Sequence, residues 1–289
     1  MTVPSQLGVP AKVGVLGGGR MGGGIAHAFL LAGADVVVVD QPEALERAEA
    51  GIRAAIATSV ERGTATRSRA DLDAALRVSA QRGEFADRDL VVEAIPEIPE
   101  LKAATLPEIE GLLGPSAVLA SNTSSLSIDD LATVLSRPER FLGLHFFNPV
   151  PVSTLVEVVA GAATDPALVA TAGDWVRGLG KTPVTVRDAP GFASSRLGVA
   201  IALEAIRMLE EGVASADDID AAMVLGYKHA TGPLRTTDVV GLDVRLGIAE
   251  YLLEKLGERF APPALLREMV AAGKLGRKTG EGFFVWDQP

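Results

Sequence analysis

The sequence predicts an α/β chain: a mainly parallel sheet covered by helices, followed by an all-α C-terminal region. Two observations carry this. Through the first two thirds, short β-branched runs alternate with Ala-rich stretches of helical periodicity, and the runs are apolar on both faces. After Asp188-Ala189-Pro190-Gly191 the strand signal stops, and apolar residues recur only at helical spacing. Strands that alternate with helices and are buried on both faces are what a parallel sheet with crossover helices requires.

The predicted strands are 12–17, 35–40, 90–95, 117–121, 141–147, 155–160 and 182–187. Between them, 22–31, 42–62, 100–113, 128–135 and 165–179 carry the helical period. Beyond the junction the helices are 197–211, 216–225, 244–256 and 264–272. The expected domains are therefore 1–188 and 189–289. Ala-rich amphipathic helices in so small a second domain suggest a surface that buries itself by pairing, hence a homodimer through the C-terminal domain.

Composition excludes several classes of function. A net charge of −10 over 289 residues argues against nucleic acid and anionic membrane as partners. No cysteine occurs and the three histidines are far apart in sequence, so neither a thiolate nor a histidine metal site is expected. Residues 1–10 lack the basic and apolar parts of a signal peptide, and no apolar run reaches membrane-spanning length. A cytoplasmic globular protein is the expectation.

Val13-Gly14-Val15-Leu16 runs into Gly17-Gly18-Gly19-Arg20-Met21-Gly22, a G-x-G-x-x-G between a strand and a helix. Glycines there permit a tight turn and let backbone approach a pyrophosphate at the helix N-terminus. Gly17, Gly19, Arg20, Met21 and Gly22 are thus candidate cofactor contacts of a Rossmann-type domain. Asp40 ends the second strand, where a carboxylate meets the hydroxyls of an adenosine ribose and repels a 2′-phosphate. NAD is expected over NADP, and FAD, which uses the same fingerprint, stays a competitor at this point.

A second cluster follows in Ser121-Asn122-Thr123-Ser124-Ser125 and Gly143-Leu144-His145-Phe146-Phe147-Asn148-Pro149, with Glu157 twelve positions after His145. A histidine that a carboxylate can orient, beside a hydroxyl, is the minimum equipment for moving a proton on and off an alcohol. Ser121 and Ser125 read as hydroxyls that satisfy nearby backbone. His27 reads as packing, and His229 as part of an interhelical connection.

With the glycine turn, Asp40, Ser-Asn-Thr-Ser-Ser-Leu, Gly-Leu-His-Phe-Phe-Asn-Pro-Val-Pro and the ending Lys278-Thr279-Gly280-Glu281-Gly282-Phe283-Phe284, the chain resembles the short-chain L-3-hydroxyacyl-CoA dehydrogenases over nearly its whole length. The bacterial 3-hydroxybutyryl-CoA dehydrogenases are the nearest form. The resemblance implies that His145 removes the proton of the 3-hydroxyl while Glu157 orients and stabilises the imidazole. It implies that Ser124 hydrogen-bonds the substrate oxygen and that Asn148, Glu97 and Lys102 lie on the nicotinamide side of NAD. Lys278 matches a cofactor contact from the tail. Arg62, with Arg67 and Arg69 close by, matches a position near the CoA phosphates.

Two positions depart from the family. Ser195 stands in Pro190-Gly191-Phe192-Ala193-Ser194-Ser195-Arg196 where relatives carry an asparagine that helps hold the acyl-CoA, and it offers one donor where an amide offers two. Lys228-His229-Ala230-Thr231-Gly232-Pro233 replaces the usual His-Pro-Met-Gly-Pro. The expected reaction is NAD-dependent interconversion of (S)-3-hydroxyacyl-CoA and 3-oxoacyl-CoA. A hydroxyacyl carrier-protein thioester or another hydroxy acid is the alternative substrate, and an NAD-binding paralogue without turnover is the alternative of a different class.

Overall fold

The computed structural model describes residues 8–287. The reading of 1–10 as carrying no leader falls, for residues 1–7, outside the described residues. The chain divides into two compact units between Asp188 and Ala189.

In the first unit β1 (Lys12–Leu16), β2 (Asp35–Val39), β3 (Leu76–Ser79), β4 (Leu90–Glu93), β5 (Val118–Ser121), β6 (Phe141–Phe146), β7 (Leu155–Ala160) and β8 (Thr182–Arg187) form one sheet. Its spatial order is β3-β2-β1-β4-β5-β6-β7-β8. Every neighbouring pair is parallel except β6 and β7. That reversal follows from a connection of only 147–154, too short for the crossover of about a dozen residues that a parallel return needs. The helices are α1 (Arg20–Leu31), α2 (Leu45–Glu61), α3 (Arg69–Ala74), α4 (Pro99–Leu112), α5 (Ile128–Ala132) and α6 (Pro166–Gly178).

The central strands β4, β5 and β6 are buried along their whole length. Val13, Val15, Val36, Val38, Leu90 and Val92 share one core with Ile25, Phe29 and Leu30 of α1 and Ile52 and Ile56 of α2. This packing fixes the carboxyl ends of β1, β2, β4, β5 and β6 on one edge of the sheet, where parallel α/β folds place their ligands.

The second unit is helical, as expected: α7 (Ser194–Glu210), α8 (Ala216–Ala221), α9 (Pro233–Val240), α10 (Leu242–Leu256) and α11 (Ala264–Ala271). Val199, Leu203, Ile206, Leu234, Leu242, Leu252 and Leu266 form its core. Asp220 caps α9 by accepting from the Leu234 and Arg235 N–H groups at 2.8 and 2.9 Å. The buried carboxylate of Asp238 accepts from the Phe283 and Phe284 N–H groups and from the Trp286 indole, each at 2.9 Å, and so ties the C-terminal segment to α9.

Three elements were not expected from the sequence. β3 is a four-residue edge strand with no extended apolar run. α3 has six residues and depends on its Ser68 cap, whose hydroxyl accepts from the Asp71 N–H. α9 starts at a proline that reads equally well as part of a connection. Among the described residues no helix is long and apolar enough to cross a membrane.

Candidate active site

The glycine turn joins β1 to α1 and leaves room for a phosphate. Gly17 has φ +95, and a Cβ there would sit 2.8 Å from the Ala94 carbonyl oxygen; a Cβ on Gly22 would be 1.8 Å from the Gly17 oxygen. Only glycine lets the turn close this tightly. Around Gly19, in contrast, no atom beyond its immediate chain neighbours lies within 4 Å of where a Cβ would stand. Gly19 is also the N-cap of α1, with no side chain capping the helix and no acid in its first turn. Uncapped N–H groups at a helix N-terminus with open space before them fit a pyrophosphate.

Asp40 follows β2. Its Oδ2 accepts from the Gly18 N–H at 2.7 Å and its Oδ1 from the Gln41 N–H at 2.8 Å. Each oxygen keeps a second lone-pair direction for a ribose hydroxyl. A cavity of about 320 Å³ opens beside it, lined by Leu16, Gly17, Asp40, Pro42, Ile95 and Leu101 among others. The residues present therefore fit a dinucleotide.

His145 and Glu157 face each other directly across the antiparallel β6–β7 pair. The imidazole Nδ1 lies 2.8 Å from Glu157 Oε2, with both residues buried. A carboxylate only accepts, so Nδ1 carries the hydrogen, and the neutral form of such a ring has its lone pair on Nε2. The Phe147 ring packs against the imidazole at 4.4 Å between centroids. Asn122 Oδ1 accepts from the Phe146 N–H at 2.8 Å, bracing the end of β5 to the end of β6.

The serine turn after β5 is held by Glu97. One oxygen, Oε1, accepts from the Thr123 hydroxyl at 2.5 Å, the Ser124 N–H at 2.8 Å and the Ser125 N–H at 3.2 Å, with the Ser124 and Ser125 hydroxyls at 3.3 Å. Partial burial of this carboxyl would raise its pKa, but the Lys102 ammonium, the Thr123 hydroxyl and the Ser124 N–H outweigh it and hold Glu97 below the ordinary carboxylate range.

Lys102 is not an exposed helix lysine. It is 1 % exposed, with Nζ 2.5 Å from Glu93 Oε1 and 3.2 Å from Glu97 Oε2. Glu93 itself was not singled out from the sequence, although a lone carboxylate at the end of a fully apolar strand was the available signal.

Asn148 is exposed beside Pro149 on a second cleft of about 330 Å³, lined also by Arg20, Arg47, Ala48 and Ile52. Arg62 is the exposed C-cap of α2. Of its expected companions, Arg69 pairs with Asp73 at 2.7 Å, and an Arg67 nitrogen donates to the Asp71 carbonyl at 3.3 Å. In the helical unit, Ser195 is half-buried in the first turn of α7. Lys278 reaches both oxygens of Asp243 at 2.6 Å.

Comparison with known proteins agrees with this architecture. Residues 12–189 match the NAD binding domain of 3-hydroxyacyl-CoA dehydrogenase, and residues 191–286 match its C-terminal domain. A probable 3-hydroxybutyryl-CoA dehydrogenase of Deinococcus radiodurans is 43% identical over 275 residues, covering 94% of this chain and 99% of that one. The 3-hydroxybutyryl-CoA dehydrogenase of Bradyrhizobium diazoefficiens is 42% identical and covers 94% of each chain. The crystal structure of the (S)-3-hydroxybutyryl-CoA dehydrogenase of Ralstonia eutropha superposes with a TM-score of 0.92 at 40% identity, over 96% of this chain and 100% of that one. Both halves of the chain and the order of its motifs thus lead to one conclusion: it belongs to the NAD-dependent 3-hydroxyacyl-CoA dehydrogenase family.

Proposed function

We propose that this chain interconverts (S)-3-hydroxybutyryl-CoA, or a similar short-chain (S)-3-hydroxyacyl-CoA, and the corresponding 3-oxoacyl-CoA. The observation that carries the reading is the buried His145–Glu157 pair at the carboxyl edge of a dinucleotide-binding sheet. Bound NAD supplies a hydride acceptor at its nicotinamide for oxidation and, when reduced, a hydride donor for the reverse. His145 Nε2 takes the proton of the 3-hydroxyl, and the O–H bonding pair becomes the second C–O bond of the ketone as C3 loses its hydride. Glu157 then faces an imidazolium and stabilises it, and on reduction the same proton returns to the oxygen. The Ser124 hydroxyl is assigned to the substrate oxygen, where it donates in either direction.

Gly17, Gly19, Arg20, Met21, Gly22 and Asp40 are assigned to the pyrophosphate and adenosine side of NAD, and Glu97, Lys102 and Asn148 to its nicotinamide side. The assignment of Lys102 is indirect, because its ammonium is enclosed by Glu93 and Glu97. Lys278 is assigned to the cofactor from the tail. For the substrate, the part of the cleft away from the glycine turn, lined by Arg47, Ala48 and Ile52, combines apolar walls with a cation, which suits a pantetheine arm on an anionic carrier. Arg62 is assigned to the phosphates of that carrier and Ser195 to the acyl thioester. The helical unit exposes Leu197, Val213, Leu225 and Tyr227, which supports a homodimer formed through it. A cytoplasmic location is part of the same reading.

The test is NADH oxidation at 340 nm with acetoacetyl-CoA in the wild type, His145→Ala and Ser195→Asn. The wild type turns over, and His145→Ala loses at least about a hundredfold in rate, the scale of a lost general base. A wild type that binds NADH and does not turn over refutes the proposal. A faster Ser195→Asn variant would mark the serine as an adaptation to another acyl group.

A further inference from the structure

Beneath the serine turn lies a buried set of charges that the reaction does not use directly. Glu93, the last residue of β4, is fully buried and both of its oxygens are hydrogen-bonded. Oε1 receives the Lys102 ammonium at 2.5 Å and the Ile95 N–H at 2.8 Å; Oε2 receives the Ser121 hydroxyl at 2.6 Å. Glu93 and Ser121 are in register across the parallel β4–β5 pair, so the bond ties the ends of two strands together. Ser121 Oγ in turn accepts from the Thr123 N–H at 3.2 Å. Lys102 carries the second route, from Glu93 to Glu97.

We infer that Glu93 is a positioning residue for the Ser124 turn, acting through Lys102 and Glu97 on one side and Ser121 on the other. The chemistry requires such an anchor. Lys102 lies in the first turn of α4, where the helix dipole disfavours a cation. It is 1 % exposed, so it needs a carboxylate other than the partly exposed Glu97. With Glu93 in place, Nζ is pinned between two carboxylates and the Ile95 carbonyl. Glu97 is then fixed by one oxygen, Oε2, and offers the other, Oε1, to the turn. Because Oε1 collects backbone N–H groups of Ser124 and Ser125, a shift of Lys102 is transmitted to the backbone that carries the Ser124 hydroxyl. Displacement of a reacting group by about 1 Å costs up to about a hundredfold in rate.

This rests on the role of Ser124 proposed above, and the experiment separates the two. Glu93→Gln keeps the shape and removes the charge; Glu93→Asp keeps the charge and shortens the reach; Ser121→Ala removes the Oε2 arm alone. Amide hydrogen exchange is measured in the wild type and each variant over 123–126 and over 145–157, with no substrate present. Glu93→Gln speeds exchange in 123–126 and leaves 145–157 as in the wild type. Acetoacetyl-CoA reduction then falls about tenfold in Glu93→Gln, and Ser124→Ala abolishes that difference, because a positioning effect has nothing left to position. Unchanged exchange in 123–126, or an equal fractional loss with and without Ser124, overturns the inference. If Glu93→Gln does not fold, Glu93→Asp and Ser121→Ala are judged by the same two readouts. A wild type without turnover, in which Glu93→Gln still loosens 123–126, overturns the proposed reaction and upholds the anchor.

Discussion

Two histidines of the first unit are almost equally buried, His145 at 6% exposure and His27 at 2%, yet their surroundings equip them for opposite tasks. His145 lies on β6 with its Nδ1 against the Glu157 carboxylate at 2.8 Å. His27 lies on α1 with its Nε2 3.0 Å from the Ser59 hydroxyl of α2, and the Ala55 carbonyl also bonds the ring. Burial is the largest influence on His27 and lowers its pKa; the Lys181 charge acts in the same direction, against the opposing effect of the Ala55 carbonyl. Burial thus makes His27 harder to protonate, whereas His145 has a carboxylate directly opposite it in the sheet. In the proposed reaction, the residue opposite His145, and not its position in the core, equips it as the base.

Removing each partner tests that contrast, and the larger effect is expected at Glu157. Glu157→Ala withdraws the acceptor that sets the tautomer and the charge that faces the imidazolium, so kcat falls on the order of a hundredfold. Glu157→Gln retains an oxygen for the Nδ1 hydrogen and loses only the charge, so about a tenfold loss is expected. Steady-state rates with acetoacetyl-CoA, and NADH affinity measured by fluorescence, separate a chemical defect from a binding one. A Glu157→Ala enzyme with wild-type kcat would break the comparison. Ser59→Ala is the counterpart at His27. It strands a buried ring nitrogen, which costs about 1–3 kcal/mol of stability and leaves kcat unchanged. A kcat loss in Ser59→Ala without a fall in Tm would show that His27 belongs to the chemistry after all.

The same contrast shows what was legible in the sequence. The strands on either side of the glycine turn were readable because runs such as Asp35-Val36-Val37-Val38-Val39 are buried on both faces and admit little else. His145 and Glu157 could be named, but their opposition depends on the antiparallel register of β6 and β7, which follows from a short reversal and not from their spacing of twelve. The Glu97 cradle was less legible. It needs three separate chain segments (the end of β4, the first turn of α4 and the turn after β5) brought together by sheet order, and periodicity carries no information about that order. Lys102 could therefore be named only through the family resemblance, as a group on the nicotinamide side, without its burial between Glu93 and Glu97, and Glu93 was passed over as the end of a strand. In the helical unit α9 escaped notice because its cap, Asp220, is fourteen residues from the N–H group it satisfies.

The surroundings of His27 also act on the pH dependence of folding. The folded-state pKa of His27 is below its ordinary value near 6.5. Between those two values the unfolded chain binds more protons than the folded one, so stability rises with pH through the window. The contribution of a neutral His27 is complete above about pH 6.5 and is lost as the pH falls toward the folded-state value. Glu97, held below the ordinary carboxylate value of 4.5, acts only at lower pH: its stabilisation is present above that value and is lost as the pH falls through the folded-state pKa. The two effects therefore occupy different ranges. Wild-type Tm should decline from pH 7 to pH 5.5 more steeply than that of His27→Leu, which has no proton to gain at this site. Parallel Tm curves for the two proteins would mean that the Ser59 hydroxyl and the Ala55 carbonyl accommodate a charged His27.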